Sequence, residues 1–393
     1  MTQLDDFRAA TRAWLAANCP PGARGPGQVP TGSTKIKIED PDTQRWLEIM
    51  AERGWTAPMW PKQYGGGGLS KDEYVILIEE MRRIGARPPL LGMGTSMIGP
   101  TLLELGTEDQ KRRHIPPIVR GELGWCQGYS EPGAGSDLAS LRTRAEDKGD
   151  HFLINGQKIW TSGAQYADWM FALVRTNPDV PKHEGISFVL LSMHQPGVTV
   201  KPIRLISGAS PFCETFFDNA IAQKEDLVGE INKGWTVGKR LLQHERSGMS
   251  ALVGAGPRDP GANISDVATQ YIGRDAAGHF ADAALRSDII SHAMNSRAFR
   301  LTQRRTVEES SGSTPGPATS IFKMYGTELQ QRRSALLVNI RGFKGVGWSG
   351  AAFSEDEIEG MRNYLSERAA SIYSGSNEIQ RNIIAKRVLG LPD

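Results

Sequence analysis

The texture of the chain changes twice, and this order constrains the fold more than any other feature. Up to about Glu122 the sequence reads as helix, from about Leu123 to Gly229 as short strands, and from Gly234 onward as helix again. In the first part, DDFRAATRAWLAAN places Phe7, Ala10, Trp14 and Leu15 near one helical face. DTQRWLEIMAERG and KDEYVILIEEMRRIGA predict further helices, and TEDQKRRHIPPIVRG opens on a pattern that suits an N-cap. In the middle part, HFLINGQKIWTSG predicts a hairpin turning at Asn155-Gly156. WMFALVRT, GISFVLLSM, GVTVKPI and ETFFDNAIA are short runs rich in β-branched and aromatic residues, as strands are. In the last part, long segments around 234–255, 279–309, 317–341 and 377–388 suit a bundle. The expectation is three domains: an N-terminal α domain (1–122), a middle β domain (123–229) and a C-terminal α-helical bundle (230–393).

Composition narrows the function classes. The chain has 393 residues, enough for two or three domains, and 46 basic against 44 acidic side chains give a net charge of +2. That balance argues against a nucleic-acid or polyanion binder. Cys19, Cys126 and Cys213 are odd in number and widely spaced, so neither a zinc pattern nor a disulfide framework follows, and a reducing compartment is expected. The start, MTQLDDFRAATRAWLAAN, lacks the basic and apolar regions of a signal peptide, and no run of about 18 apolar residues predicts a membrane span. A bacterial cytoplasm is the default expectation.

One helix carries an odd residue. In RLLQHERSGMSAL, at about 100° per residue, Leu241, Leu242, Met249 and Leu252 form an apolar stripe, and Glu245 falls on it. Burying an unpaired charge is costly, so this carboxylate has a buried partner, lies on a frayed helix face or has work to do there. His244 points away from the stripe.

The most informative segment is WCQGYSEPGAGSDLASLRTRA, Trp125 to Ala145. Gly133, Ala134, Gly135 and Ser136 make a loop with little side-chain bulk and free N–H groups, which can approach a phosphate or a flat ring closely. Read whole, SEPGAGSD followed by INGQKIWTSGA and the pair Ala167-Asp168 resembles the signature of the acyl-CoA dehydrogenase family. APMWPKQYGGGGLS, LVGEINKGW and the closing IYSGSNEIQRNIIAKRVLGLP resemble the same family in the same order. The resemblance implies an α+β fold: an N-terminal helical domain, a middle β-barrel or sandwich domain and a C-terminal helical bundle.

It also implies an FAD enzyme that oxidises a saturated acyl-CoA to the trans-2-enoyl-CoA. A base removes the α proton and the β hydride passes to flavin N5. By the same resemblance Gln127, Tyr129, Ser130, Gly135 and Ser136 lie along the flavin and its pyrophosphate, with Ser136 also on the CoA side. Trp160, Thr161 and Ser162 match the second flavin segment, and Ser376 and Glu378 match positions near the flavin in the C-terminal loop. Many members carry the base just before the Gly of a terminal tyrosine-x-glycine motif. Here that motif is Tyr373-Ser374-Gly375, so the position holds Ser374, which has no suitable pKa. A smaller branch, which includes isovaleryl- and long-chain-type enzymes, uses a glutamate followed by arginine on the first long helix of the C-terminal domain. Glu245-Arg246 stands there, which makes Glu245 the expected base and places Arg246 near the substrate. A flavin ribityl hydroxyl and the Ser374 backbone N–H would then stabilise the enolate.

Two family motifs are absent. YIGRDAAGHFADAALRSD replaces an arginine-x-x-phenylalanine-glycine element, and VNIRGFKGVGW replaces a glutamine-x-x-glycine-glycine element that reaches a neighbour's adenine. The stretch GPRDPGANISD also interrupts a helix that is usually continuous. These losses resemble bacterial branches acting on bulky acyl groups, some of which assemble as mixed α2β2 tetramers. The expected partners are an acyl-CoA, an electron-transferring flavoprotein as acceptor, and either a homo-oligomer (dimer or tetramer) or a mixed α2β2 assembly. The competing readings are a non-catalytic partner subunit and a flavoprotein with oxidase or carrier-protein chemistry.

Overall fold

The computed structural model describes residues 2–255, 263–309 and 320–392, the side chains of 245–255 and 307–309 excepted. The helix–strand–helix order is observed, in two compact units: Met1–Ile203 with Pro211–Ala255, and Arg204–Ser210 with Gly256–Asp393.

The first unit opens with helices α1 (Gln3–Asn18), α2 (Pro41–Glu52), α3 (Lys71–Arg83), α4 (Gly99–Leu105) and α5 (Glu108–Val119). Thr2, Ser70 and Thr107 cap α1, α3 and α5 with reciprocal side-chain bonds, and Thr107 is the cap its sequence pattern predicted. The predicted face of α1 is observed at Leu15, with Trp14 packed beside it, and departs from expectation at Ala10. Thr11 and Leu15 are its buried residues, and Ala10 is exposed. The cause is Glu80 of α3, a buried carboxylate that takes Arg8 and Arg12 of α1 and Arg83 of its own helix. Those bonds turn positions 8, 11, 12 and 15 towards α3.

Seven strands follow: β1 (Trp125–Gly128), β2 (Arg144–Asp147), β3 (His151–Ser162), β4 (Trp169–Arg175), β5 (Ile186–Ser192), β6 (Val198–Ile203) and β7 (Phe212–Gln223). They form one sheet in the order β1-β4-β2-β3-β7-β6, with β5 on the other side of β4. β4 is buried along its length because both its faces are covered. Met170, Ala172 and Val174 pack with Phe152, Ile154, Val189, Leu191, Phe217 and Ala220, so the β3–β7 and β4–β5 halves share one core. Phe171 and Leu173 face the other way, into a core with Ile98, Leu102, Ile115 and Ile118 of the helical region.

The predicted hairpin at Asn155-Gly156 is not there. β3 runs unbroken from His151 to Ser162, and Asn155-Gly156 sits at a register shift within it. Gly156 has φ +146°, and a Cβ there would lie 2.7 Å from Thr143 Cα. The glycine therefore serves a close approach between chain segments, and Asn155 accepts a bond from Asn219 N across the ladder (2.9 Å). The turn lies between β2 and β3 at Lys148–Asp150, where Gly149 is left-handed and Lys148 N donates to His151 O (2.9 Å).

Helix α6 (Gly234–Ala255) ends this unit. A Cβ on Gly234 would lie 2.2–2.3 Å from the backbone of Ser187 and Phe188, so only glycine lets the helix start directly on β5. The second unit holds α7 (Ile264–Tyr271), α8 (Ala283–Glu309), α9 (Ser320–Arg341), α10 (Glu355–Glu367) and α11 (Asn377–Ile383). Val267, Ala268, Ile289, Leu336, Leu337 and Ile340 form its buried core. α7 and α10 were not among the segments predicted for the bundle. Both are short, and Ser354 starts α10 with a capping box. Among the described residues no helix is long and apolar enough to cross a membrane.

Candidate active site

The loop after β1 begins with a tight turn. Glu131 and Ala134 exchange two main-chain bonds of 3.0 Å, and Ala134 is tucked into the core. Beyond it Asp137 accepts from Ser140 Oγ (2.6 Å) and pairs with Lys182 (2.7 Å). Arg175 of β4 donates to the carbonyls of Ala139 and Leu141 (2.6 and 3.2 Å). Both ends of the loop are thus fastened, and Gly133, Gly135 and Ser136 are its exposed residues between them, with Pro132.

Below the loop lies a buried ion pair. Lys158 Nζ of β3 donates to Glu131 Oε1 (2.7 Å), Leu173 O (2.7 Å) and Tyr129 O (3.2 Å). Glu131 also accepts from the main-chain N–H groups of Arg142 (2.6 Å) and Thr143 (2.9 Å). Burial pushes the Lys158 ammonium down to about 8, with Glu131 holding it up against that push. Burial works on Glu131 in the opposite sense, but Lys158 and the N–H donors outweigh it and keep the carboxyl below its usual range. This pair is not among the residues singled out from the sequence. Its signal was legible: Phe152, Ile154 and Lys158 share the inward parity of β3, and a lysine there needs a buried anion.

Two residues further along β3, Trp160 has φ +59° and is 53% exposed. A bulky residue in the left-handed region is strained, and such strain gathers at functional sites. A register shift between Lys158 and Thr161 accompanies it, and its ring meets Phe212 edge-on at 6.2 Å. Thr161 is fully buried, and its Oγ1 has no hydrogen-bond partner among the described residues. Ile159 N donates to Ser130 O (2.9 Å), which brings this segment against the loop. Gln127 and Ser162 are half-buried nearby in the same unit. Tyr129 commits its ring to the core, edge-on to Phe171 and Phe188.

A second knot holds the base of the sheet. Asp168, which in the sequence stands out only as part of a motif, accepts from Thr34 N (3.0 Å), Thr34 Oγ1, Gly124 N (2.7 Å) and His194 Nε2 (2.7 Å). Burial alone would raise its pKa, and these donors lower it. The Gly- and Pro-rich segment before α2 is thereby strapped to β4.

Val237 and Leu241 of α6 lie four residues apart in the same core as Tyr129, Ala134, Phe171 and Phe188, and 245 is the next position of that series. Glu245 and Arg246 lie on this helix, but their side chains lie outside the described residues. Just before them, Arg240 Nε and His244 Nε2 converge on Glu104 of α4 (2.7 and 3.0 Å). His244 is therefore packed, and burial, with Arg240 beside it, lowers its pKa. In the second unit Ser374 is left-handed (φ +54°), Ser376 caps α11 through a bond from Ile379 N, and Glu378 is exposed. The helix-interrupting stretch Gly256–Ala262 lies outside the described residues.

The two loop glycines test the fit of a cofactor. Outside α6, every other glycine among the described residues has either a left-handed φ or a protein atom that a Cβ would meet within 4 Å. Gly133 and Gly135 have neither. The protein's own packing does not require glycine there, whereas a ligand lying against the backbone does. With the strained Trp160 and the unpartnered Thr161 hydroxyl in the adjoining segment, these residues fit a flat ring system with a pyrophosphate.

Comparison with known proteins bears on the same segments. Three family models match in succession: the N-terminal domain of acyl-CoA dehydrogenase over residues 3–122, its middle domain over 126–220 and its C-terminal domain over 232–389. A relative from Mycobacterium tuberculosis, acyl-CoA dehydrogenase IpdE1, is 37% identical over all of this chain and 99% of its own. Among solved structures, the Tcur3481-Tcur3483 steroid ACAD superposes with TM-score 0.73 at 31% identity, covering 99% of this chain and 97% of that one. The ChsE4-ChsE5 complex from Mycobacterium tuberculosis does so with TM-score 0.72 at 28% identity, covering 100% and 98%. The glycine loop, the strained tryptophan and the helix packed beside them are therefore parts of a known scaffold, and the chain belongs to the acyl-CoA dehydrogenase family of FAD-dependent oxidoreductases.

Proposed function

We propose that this chain dehydrogenates the Cα–Cβ bond of a bulky, steroid-type acyl-CoA to the trans-2-enoyl thioester, with Glu245 as the base that takes the α proton. The observation that carries this reading is the register of α6. Its buried series Val237, Leu241 packs beneath Tyr129 and Ala134 of the glycine loop, and the next position is Glu245. A thioester α proton is weakly acidic, and a carboxylate near an apolar face is a stronger base than one in water. FAD, when bound, supplies the acceptor for the β hydride. Gln127, Ser130, Gly135 and Ser136, with Trp160, Thr161 and Ser162, would hold the cofactor, and the family resemblance assigns Ser376 and Glu378 to it as well. By the family resemblance Ser136 and Arg246 are assigned to the CoA thioester, and the Ser374 N–H would stabilise the charge that develops on its carbonyl. The substrate class is supported by the neighbour named as a steroid ACAD.

A second reading is favoured by a specific observation. The neighbours include two named as two-component proteins, and the adenine-side motifs of the family are replaced here. In one case Arg274 and Phe280 form a short bridge before α8, and in the other Gly342–Val346 is a 3-10 turn. In that reading the chain supplies part of an FAD site in a mixed α2β2 assembly.

The test is an anaerobic titration with straight-chain and steroid-type acyl-CoAs, following flavin absorbance near 450 nm. Bleaching by the steroid-type thioester, lost in Glu245→Gln with FAD still bound, is the expected result. Bleaching that survives the mutation sinks Glu245 as base. No flavin in the isolated chain, with flavin in a co-purified complex, selects the second reading.

A further inference from the structure

The Lys158–Glu131 pair has no part in that chemistry, yet it occupies the most protected place in the sheet. Lys158 is completely buried, where ammonium groups are rare. A well-packed apolar residue is often as stable as a buried ion pair, so stability alone does not account for the charges. The bonds indicate what they do. The carboxylate of Glu131 sits where the loop leaves β1 and binds the N–H groups of Arg142 and Thr143, where the chain returns towards β2. Both feet of the loop therefore stand on one carboxylate. Lys158 ties that carboxylate to β3, and to β1 and β4 through the carbonyls of Tyr129 and Leu173. The next residue, Ile159, bonds Ser130, and the one after is the left-handed Trp160.

We infer that Glu131 and Lys158 are positioning residues for the cofactor, holding the glycine loop and Trp160 at a fixed separation from each other. The inference rests on the reading that Gly133–Ser136 lies along the flavin. The pair works because each partner is fully satisfied: Lys158 has three acceptors and Glu131 three donors, so neither can shift without leaving a buried polar group unpaired. A neutral pair of similar volume fills the space but does not dictate where the loop stands.

The experiment compares holoenzyme of Glu131→Asp, which keeps both charges but shortens the reach, with the double variant Lys158→Met/Glu131→Gln, which leaves no charge unpaired. Three quantities are read: far-UV circular dichroism for the fold, the FAD dissociation constant, and the visible circular dichroism of bound flavin. Both variants are expected to keep the fold, bind FAD about 10-fold or more weakly and change the flavin band. Wild-type affinity and band in a folded variant overturn the inference. If the double variant does not fold, Glu131→Asp decides by the same criterion. Gly135→Val separates the two levels. If it weakens FAD while the pair variants do not, this inference alone fails. If it too leaves FAD binding unchanged, the loop reading beneath it fails.

Discussion

The two units of the molecule treat their surfaces differently. The first covers most of its largest side chains: Trp46, Met50, Leu77, Phe152, Phe171 and Phe188 are all at or near zero exposure, while Met59, Trp160 and Tyr166 stand half exposed, and its buried charges are paired. The second has a small core and leaves large apolar groups in contact with solvent. Ile290, Met294 and Leu301 lie along one face of α8, Phe343 is 79% exposed, and Ile372, Leu389 and Leu391 are exposed towards the chain's end. Apolar surface on that scale marks a contact region. The first unit is largely closed as folded, apart from its glycine loop and single exposed side chains such as Met59 and Trp160. The second is a surface that the proposed oligomer, of like or unlike chains, would cover.

That contrast can be broken in four ways. The largest effect is expected from Gly135→Val. A Cβ there meets no described atom, so stability should change by no more than about 0.5 kcal/mol. FAD should bind about 100-fold or more weakly, because the loop can no longer lie against the ring. Fluorescence of released FAD measures this, and unchanged affinity would mean that the opening in the first unit is not made for the cofactor.

Next is the acid limb of stability. Arg12, against the opposing push of burial and with Arg83 and Arg8 adding to it, holds the Glu80 carboxyl at about 2. Its folded pKa lies below the unfolded value, so its contribution is complete above pH 4.5 and is lost as pH falls from there towards 2. Discounted for arginines that are 38–51% exposed, that contribution is about 2 kcal/mol. Glu80→Gln should lower stability at pH 7 by about this amount and flatten the acid limb. Denaturant unfolding at pH 3 and pH 7 checks it; an unchanged pH dependence would remove the pair from the account of α1.

Trp160→Gly should then separate strain from function. Relief of the left-handed φ offsets the lost ring contact, so net stability should rise, by at most about 1 kcal/mol, while FAD affinity falls. A loss of stability would show that Trp160 packs as core and is not held under strain. The smallest effect on folding is expected from Phe343→Asp, within about 0.5 kcal/mol for the separated chain. Its effect should appear in assembly, as a lower mass by light scattering. An unchanged mass would remove Phe343 from the contact region.

Some of the site was readable in one dimension because its parts are contiguous. SEPGAGSD and IWTS are local strings, and the structure keeps each as one loop or one strand end. Thr107 capped its helix as written, because a cap is a bond over three residues. The errors came where a distant partner decided. Asn155-Gly156 has turn chemistry, yet the approach of Thr143 makes it a bulge. Ala10 sits on the apolar face by period, yet Glu80, seventy residues away, turned the helix.

By itself the sequence determined the order of helical and strand regions, the family, the glycine loop proposed for the cofactor and the helix that carries Glu245. Local propensity, period and motif spacing are enough for these. The tertiary structure decided which charges are buried and what they hold. Lys158 and Glu131 are 27 residues apart in sequence, and Thr34 and Asp168 are 134 apart. Such pairs form only when folding removes both partners from water, and there an unmatched charge costs too much to remain.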